Sequence, residues 1–303
     1  MFRFDKEQAV LRVGEVELGG QPGEVPCVMI GSLFHEGHRI VQDRAKGVFD
    51  EERAKKLIRR QERASKKTGL PSMFDVVGDT EEAIRREVEF IAENSDSPIL
   101  INGPNVEVRI AGVLAAKDCG ILDRSVYDSV NYSADAHEAE AIRSTGIEAA
   151  LIQAFNPKNP MPRGMVEVIS GPSGTGLLDL TRSAGIKKPI LFTPVLDLPG
   201  VGSAARGIEL LKDAFGLPTG TAPVGVVGRY PKVASMCRGG KDVIRASTAA
   251  LCQAAGADYI IYGSVNRARE IFPPCAVAEA AISYQARLSG LRTRRGPLHG
   301  LFR

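Results

Sequence analysis

Repetition is the sequence feature that most constrains the fold. Eight short apolar runs recur along the chain, and most are followed by an amphipathic stretch of helical period. The runs cover residues 27–30, 73–77, 99–101, 126–130, 149–155, 189–192, 223–227 and 259–262. Strands that alternate with helices form βαβ units and a parallel sheet. Eight such units predict an α/β protein of the closed (β/α)8 TIM-barrel class.

The residues before the first run predict an additional element. Residues 10–18 alternate apolar and polar side chains around Gly14-Glu15, a pattern typical of a β-hairpin. We expect this hairpin, within an extension over residues 1–24, to close the amino-terminal end of the barrel. No Pro/Ser-rich linker divides the chain. It is therefore interpreted as a single domain over residues 1–303, with a tail at 289–303.

The charge balance argues against nucleic acid as a partner. The formal net charge is +3, too small for a protein that must neutralise many phosphates. The basic run at residues 53–67 also contains Leu57, Ile58 and Glu62, so it is interpreted as the solvated face of an outer helix. A docking face for an acidic partner protein stays open as the alternative.

Cysteine usage and hydropathy predict a cytoplasmic protein without a membrane span. The 5 cysteines are odd in number and include no C-x-x-C pair, which is typical of free thiols in a reducing compartment. No uninterrupted apolar stretch approaches the roughly 18 residues that a spanning helix needs.

Three motifs that carry chemistry in other proteins have simpler explanations here. The glycines at 171–176 lack the spacing of a phosphate-binding loop, so they are interpreted as turn glycines, with an anion site as the alternative. His35 and His38 have no third ligand nearby in the sequence, so no metal is expected. No nucleophile elbow is present and no strand ends in lysine, which disfavours acyl transfer and Schiff-base chemistry.

Polar side chains gather at or just after the ends of the predicted strands. They are Asp75, Asn102, Asn131, Gln153, Asn156 and Asp197. In a TIM barrel these ends face one shared cavity, where catalytic residues lie. Carboxylates accept paired N–H bonds and amides both donate and accept, so this set suits a flat polar heterocycle. Hydrogen bonding to nearby loop backbone is the alternative for each residue.

The chain also resembles a known family up to about residue 285. The motifs that carry the resemblance are GGQPGE at 19–24, IGSLFHEGHRIV at 30–41, KGVFD at 46–50, DVVG at 75–78, RIAG at 109–112, AFNP at 154–157, FGLP at 215–218, GADYIIYG at 256–263 and FP at 272–273. These segments are similar to the H subunit of tetrahydromethanopterin S-methyltransferase and its bacterial relatives. The relatives include the glycine betaine pathway enzyme that methylates tetrahydrofolate.

The resemblance implies a barrel that moves a methyl group between cobalt and N5 of a reduced pterin. The cobalt belongs to a corrinoid carried by a separate partner protein, and this chain itself binds no metal. Tetrahydrofolate is the expected pterin, and tetrahydromethanopterin or another methyl donor or acceptor stays open. The resemblance also implies a homodimer.

The resemblance also implies roles for particular residues. The expected pterin contacts are Asp75, Asn102, Asn131, Gln153, Thr193 and Gly228. Among these, Asp75 and Asn102 would clamp the pyrimidine edge of the ring. The candidate catalytic residues are Asn131, Asn156 and Asp197, of which the last two would handle the proton of N5. We expect Arg229, Lys232 and Arg238 to meet the glutamate tail or the corrinoid partner.

Two other functions stay open. An enzyme of another class on the same barrel, such as a pterin synthase or a lyase, would use a phosphate pocket at 171–176. A non-enzymatic subunit that docks a corrinoid protein is favoured by departures from the family pattern. Those departures are Asn102-Gly103 after the third strand, Thr193 at the sixth and Gly228-Arg-Tyr at the seventh.

Overall fold

The computed structural model of the chain describes residues 3–172, 175–236 and 238–294. Within these ranges the strands are β1 (Val10–Val13), β2 (Val16–Gly19), β3 (Val28–Leu33), β4 (Val41–Asp43), β5 (Val48–Phe49), β6 (Ser72–Val77), β7 (Ile99–Asn102), β8 (Ser125–Val130), β9 (Ala149–Gln153), β10 (Lys188–Thr193), β11 (Thr219–Thr221) and β12 (Tyr259–Ser264). The α-helices are α1 (Glu51–Thr68), α2 (Glu81–Asn94), α3 (Val106–Asp118), α4 (Ala136–Thr145), α5 (Pro162–Ser170), α6 (Leu177–Ser183), α7 (Gly200–Phe215), α8 (Pro231–Ser235), α9 (Gly240–Ala254) and α10 (Ala268–Leu288).

Eight of these strands form a closed barrel. Their order around it is β3, β6, β7, β8, β9, β10, β11 and β12, and β12 pairs with β3 to close the ring. Every neighbouring pair is parallel. Helices follow the strands on the outside, so the predicted TIM barrel is confirmed.

A hairpin of β1 and β2 covers one end of the barrel. The two strands pair antiparallel around Gly14, whose positive φ of 53° suits the tight turn. The apolar side chains of Val13, Val16 and Leu18 pack on interior barrel residues near the starts of the strands. Because the backbone N–H of Gly14 also donates to the carbonyl of Asp123, just before β8, the hairpin lies at the predicted amino-terminal end.

The seventh barrel strand differs from the prediction. The apolar run at 223–227 was expected to be a strand, but the strand is β11, and Gly225–Arg229 forms a 3-10 helix. The valines of that run are buried against α9 and the neighbouring helices instead of in the barrel wall. Periodicity alone cannot distinguish a short buried strand from a buried helical turn.

Polar side chains start four of the outer helices. At α1 the Asp50 carboxylate accepts a hydrogen bond from the backbone N–H of Arg53. Thr80, Asn105 and Asp135 make the equivalent bond at α2, α3 and α4. Such caps satisfy donors that the first helical turn leaves unpaired, and they fix where each strand-to-helix loop ends.

Two further observations concern the oxidation state of the cysteines and the length and hydropathy of the helices. Cys27, Cys119, Cys252 and Cys275 are free thiols, and Cys237 lies outside the described residues. None of the helices in the described ranges combines the length and the apolar character that a membrane span requires.

Candidate functional site

A polar layer lies inside the barrel, directly above an apolar one. The apolar layer includes Ile30, Met73, Leu100, Val126 and Leu151, which are buried together near the starts of the strands. Side chains of a strand alternate between its two faces, so the residue two positions later also points inward. Those residues are Ser32, Asp75, Asn102, Asp128 and Gln153. We call these five residues the polar layer.

Asp75 is the most extensively hydrogen-bonded member of the polar layer. One carboxylate oxygen accepts from the Ser32 hydroxyl at 2.6 Å and the other accepts from the Asn102 amide at 3.1 Å. The residue is only 4% exposed. Burial raises the pKa of Asp75, whereas these two hydrogen bonds oppose that rise by favouring the ionised form.

Asp128 places a second carboxyl group in the same layer. It is buried, and burial together with the charge of Asp75 raises the pKa of Asp128. Two carboxylates in one low-dielectric space cannot both ionise easily. Since Asp75 already receives two donors, we assign the proton that the pair retains to Asp128. A carboxyl group with a raised pKa can exchange a proton near neutral pH.

A buried network supports the polar layer from outside the barrel. Arg109 on α3 donates to the Tyr127 hydroxyl at 2.9 Å and to the Glu138 carboxylate at 3.0 Å, and Tyr127 donates to Glu138 at 2.7 Å. Arg109 also donates to the carbonyl of Gly103, directly after Asn102, at 3.1 Å. This bond fixes the chain at the end of β7, and the guanidinium opposes the rise in the pKa of Asp128.

Two histidines, His35 and His38, lie in the loop that follows β3. Their rings stack with centroids 4.8 Å apart, and His38 Nδ1 accepts from the backbone N–H of Phe34 at 3.1 Å. Burial, then His35 and Arg53, lowers the pKa of His38 to about 4, so its ring is neutral. His35 is close enough to Asp75 to counter the rise in the pKa of that carboxyl. No group of three or more His, Cys, Asp or Glu residues in the described ranges is arranged to hold a metal ion.

The structure brings three of the predicted residues together. Asp75 and Asn102 are directly hydrogen-bonded, and Gln153 belongs to the same layer. Asn131 follows β8, but its amide oxygen accepts from the backbone N–H and the hydroxyl of Ser133 in its own loop. For Asn131, the local loop contact anticipated as an alternative is therefore present.

Asn156 and Asp197 lie together at a separate place on the same end of the barrel. Both border a cavity of about 140 Å³ between the loops after β9 and β10. The Asn156 amide oxygen accepts from the backbone N–H of Lys158 at 3.0 Å, and an Asp197 carboxylate oxygen accepts from that of Gly200 at 2.6 Å. These bonds stabilise the two loops, and the catalytic roles of Asn131, Asn156 and Asp197 stay predictions.

Thr193 and Gly228 do not join the polar layer. Thr193 ends β10 as expected, but Ile190 and Phe192 pack with the interior cluster, so Thr193 points outward. Its methyl group lies 3.2 Å from where a Cβ on Gly207 of α7 would stand. Gly228 belongs to the 3-10 helix after β11 rather than to a strand end. Neither residue therefore lines the polar layer, and their expected pterin contacts stay predictions.

The three predicted tail-binding or partner-binding cations are exposed at the rim. Arg229 donates to the carbonyl of Leu196 at 3.3 Å, which ties the loop after β11 to the loop after β10. Lys232 lies on α8 and Arg238 shortly after it, both exposed. Their proposed contacts stay predictions.

The glycines at 171–176 have a structural explanation at the first and last positions of the run. Gly171 has a φ of 62°, and a Cβ there would collide with the backbone nitrogen of Gly176. The chain crosses itself so closely that a side chain does not fit. Ser173 and Gly174, within the same loop, lie outside the described residues.

Sequence reasoning missed Ser32, Asp128 and the supporting role of Arg109. The run at 126–130 was interpreted through the residue that follows it, Asn131. A charged residue two positions after an interior valine was the available signal, because alternation directs both side chains inward.

Solved structures share the architecture. The chain superposes on a Yersinia pestis dihydropteroate synthase with a TM-score of 0.61 and 14% identity, covering 90% of this chain and 98% of that one. A Xanthomonas albilineans dihydropteroate synthase gives a TM-score of 0.58 at 14% identity, over 95% of this chain and 98% of that one. At this identity the likeness shows the fold alone.

Sequence comparison identifies the family. The chain is 37% identical over 294 residues to the H subunit of tetrahydromethanopterin S-methyltransferase from Methanothermobacter marburgensis, with 95% of each chain covered. The protein of the same name from Methanopyrus kandleri is 33% identical over 294 residues, covering 91% of each. The model of the family described as tetrahydromethanopterin S-methyltransferase MtrH subunit matches residues 6–293. The chain therefore belongs to the MtrH family.

Proposed function

We propose that this chain is a methyltransferase that holds a reduced pterin in the polar layer and moves a methyl group to or from its N5. The observation that carries the proposal is the buried Asp75 carboxylate, aligned by Ser32 and Asn102 beside Asp128. The names of the family and of its relatives support the same reaction class.

The pyrimidine edge of a pterin presents neighbouring N–H donors, and a carboxylate accepts such a pair side by side. Each oxygen of Asp75 already accepts one hydrogen bond, but a carboxylate offers about four lone-pair sites, so acceptor capacity remains. The Asn102 and Gln153 amides add both donors and acceptors within the same layer. This mixed set complements the alternating donors and acceptors of the ring.

The reaction needs positioning and the management of one proton. A bond forms between N5 and the methyl carbon as the bond from that carbon to the donor breaks, and the donor keeps the electron pair. The N5 proton leaves in this direction and returns in the reverse one. In its ionised form Asp128 accepts this proton, directly or through water, and in its protonated form it returns the proton in the reverse direction; burial and Asp75 raise its pKa, which makes the group suited to both steps. Fixing the ring in line with the donor lowers the entropic part of the barrier.

The methyl donor that we propose is a methylated corrinoid on a separate partner protein, and the proposed acceptor is tetrahydrofolate. Tetrahydromethanopterin, which the names of the relatives contain, is the alternative acceptor. We also propose that the chain works as a homodimer. These finer assignments rest on the family resemblance and on the ring site proposed above.

Methyl transfer from methylcobalamin, used as a free surrogate donor, tests the proposal. The purified chain is incubated anaerobically with methylcobalamin and either tetrahydrofolate or tetrahydromethanopterin, and the methylated pterin is quantified. We expect product with at least one pterin and a large loss with Asp128→Asn. Absence of calorimetric binding of both pterins, together with absence of product, would contradict the proposal.

A further inference from the structure

A second cavity lies beside the polar layer and is strongly basic. It measures about 490 Å³ and is bounded by the loop after β3, the first half of α1 and the turn after β12. Its charged lining residues are Arg39, Arg53, Lys56, Arg60 and Arg267. We call these five residues and the space they surround the basic pocket.

The positive charges of the basic pocket are poorly compensated. Its lining contains no carboxylate, and Arg39, Lys56 and Arg60 form no ion pair with any residue that the structure describes. Arg53 reaches Asp50 only at 4.0 Å. Like charges held together repel, and low-dielectric walls strengthen their combined field. A bound anion would relieve this repulsion.

Arg267 contributes its charge from a half-buried position at the inner wall of the basic pocket. Burial and the charge of Arg245 lower the pKa of Arg267, whereas Asp242 and Glu270 raise it. These two carboxylates are not among the lining residues, so they do not occupy the space of a ligand.

The spacing of the α1 residues separates the basic pocket from the rest of the basic run. Arg53, Lys56, Leu57 and Arg60 lie on one stripe of the helix, because each of them has partners in this set three and four residues away. Arg59, Lys66 and Lys67 do not line the cavity. Only part of the run is therefore a simple solvated surface.

The basic pocket is connected to the polar layer by the neighbouring strands β3 and β12. Asn266, which lines the pocket, donates to the Ser264 hydroxyl at 3.0 Å. Ser264 is the register partner of Ser32, and Ser32 donates to Asp75. The loop after β3 also contributes to both places, because His35 acts on Asp75 while Arg39 lines the pocket.

We propose that the basic pocket binds the anionic extension of the pterin substrate, its carboxylate or phosphate groups, while the polar layer holds the ring. This inference rests on the proposed function and adds to it the part of the molecule that recognises the tail. Small-molecule sites are concave and have volumes of roughly 300–1,000 Å³, and this pocket has both properties. A protein-docking face would be flatter. Arginine recognises carboxylate and phosphate groups with paired hydrogen bonds.

The test compares ligands that share the ring and differ in the tail. The ligands are 6-methyltetrahydropterin, which has no anionic tail, tetrahydrofolate with one glutamate and tetrahydrofolate with several glutamates. Inorganic pyrophosphate is titrated as a free anion. Binding is measured by anaerobic calorimetry at low and high salt. The variant R39S/K56S/R60S removes three pocket charges, and R59S/K66S/K67S removes the same number from α1 outside the pocket.

We expect R39S/K56S/R60S to weaken binding of polyglutamylated tetrahydrofolate at least about tenfold, or about 1.4 kcal/mol, and to leave 6-methyltetrahydropterin unaffected. The control variant should bind all ligands like the original chain. The effect should shrink at high salt, since screening weakens interactions between partly exposed charges. Circular dichroism of each protein, including the exposed single variant K56E, checks that folding is intact.

The outcomes separate this inference from the function on which it rests. Ring binding with an R39S/K56S/R60S variant that keeps full affinity for the glutamylated ligands would contradict the tail site alone. The same conclusion follows if the control variant loses as much affinity. Tight pyrophosphate binding without any advantage of the tail over the bare ring would identify a free-anion site and also refute the proposal. Failure of the original chain to bind any of these ring-bearing ligands and tetrahydromethanopterin as well would contradict the proposed function itself.

Discussion

Asp75→Asn is the substitution that probes the polar layer at its most connected residue. In the original chain both carboxylate oxygens accept hydrogen bonds, at 2.6 Å from Ser32 and at 3.1 Å from Asn102. The substitution replaces one acceptor oxygen by an NH2 group, so one of these donors faces another donor. It also removes the charge that would accept the N–H groups of the pterin edge.

The expected loss follows from the strength of a charged hydrogen bond. Such a bond contributes about 1.5–3 kcal/mol net, which corresponds to roughly 10- to 150-fold in affinity for the pterin. The stability of the free protein should change far less, because the substitution also removes a buried charge beside Asp128. The same change should lower the pKa of Asp128, since the negative charge of Asp75 contributes to its rise.

The assay is calorimetric titration of tetrahydrofolate or tetrahydromethanopterin into the original chain, Asp75→Asn and a matched control, Asp213→Asn. Asp213 is an exposed residue of α7, so its substitution keeps the charge change and leaves the barrel interior intact. Thermal unfolding of all three proteins checks folding. Unchanged pterin affinity in a folded Asp75→Asn protein would refute the reasoning.

Three further substitutions test other parts of the structure. Glu87 is 2% exposed, and burial raises its pKa to about 9. The folded state therefore keeps the Glu87 proton at pH values at which the unfolded chain has lost it. The free energy of unfolding should fall as pH rises from about 5 to 8, by up to about 1.4 kcal/mol per pH unit. Glu87→Gln should flatten that slope in chemical unfolding, and an unaltered slope would contradict this. Lys212→Ala should destabilise the protein by about 3–5 kcal/mol, because it leaves the buried Asp258 carboxylate without the Lys212 ammonium group that lies 2.5 Å from it. A loss below about 1 kcal/mol in urea unfolding would show that the ion pair is dispensable. Thr193→Val should keep the original pterin affinity in calorimetry, since the side chain points toward α7; a strong loss would return Thr193 to the site.

Most of the barrel could be predicted because its apolar runs coincide with strands. The seventh strand could not be, because β11 reads Thr-Gly-Thr and has no apolar run at all. Gly220 is required there by packing, because a Cβ at this position would collide with the carbonyl oxygen of Tyr259. The more apolar segment that follows is a helical turn, so sequence pattern and strand position separate at this one place.

The site could be predicted only in part, because a strand end does not reveal which way its side chain points. Asp75 and Asn102 were found since they end or nearly end their strands on inward positions. Thr193 also ends a strand, but on an outward position. Asp128 lies two residues before its strand end, as Asp75 does, but it was missed because Asn131 after the run was chosen in its place. The basic pocket was missed because its residues come from α1, from the loop after β3 and from Arg267 far along the chain.

A crystal structure of the chain with a bound reduced pterin would locate the ring and so decide whether the polar layer is the binding site. We predict that the pyrimidine edge of the ring lies on the Asp75 carboxylate, with Asn102 and Asp128 in contact. A ring bound instead in the small cavity beside Asn156 and Asp197, with the polar layer untouched, would contradict this assignment.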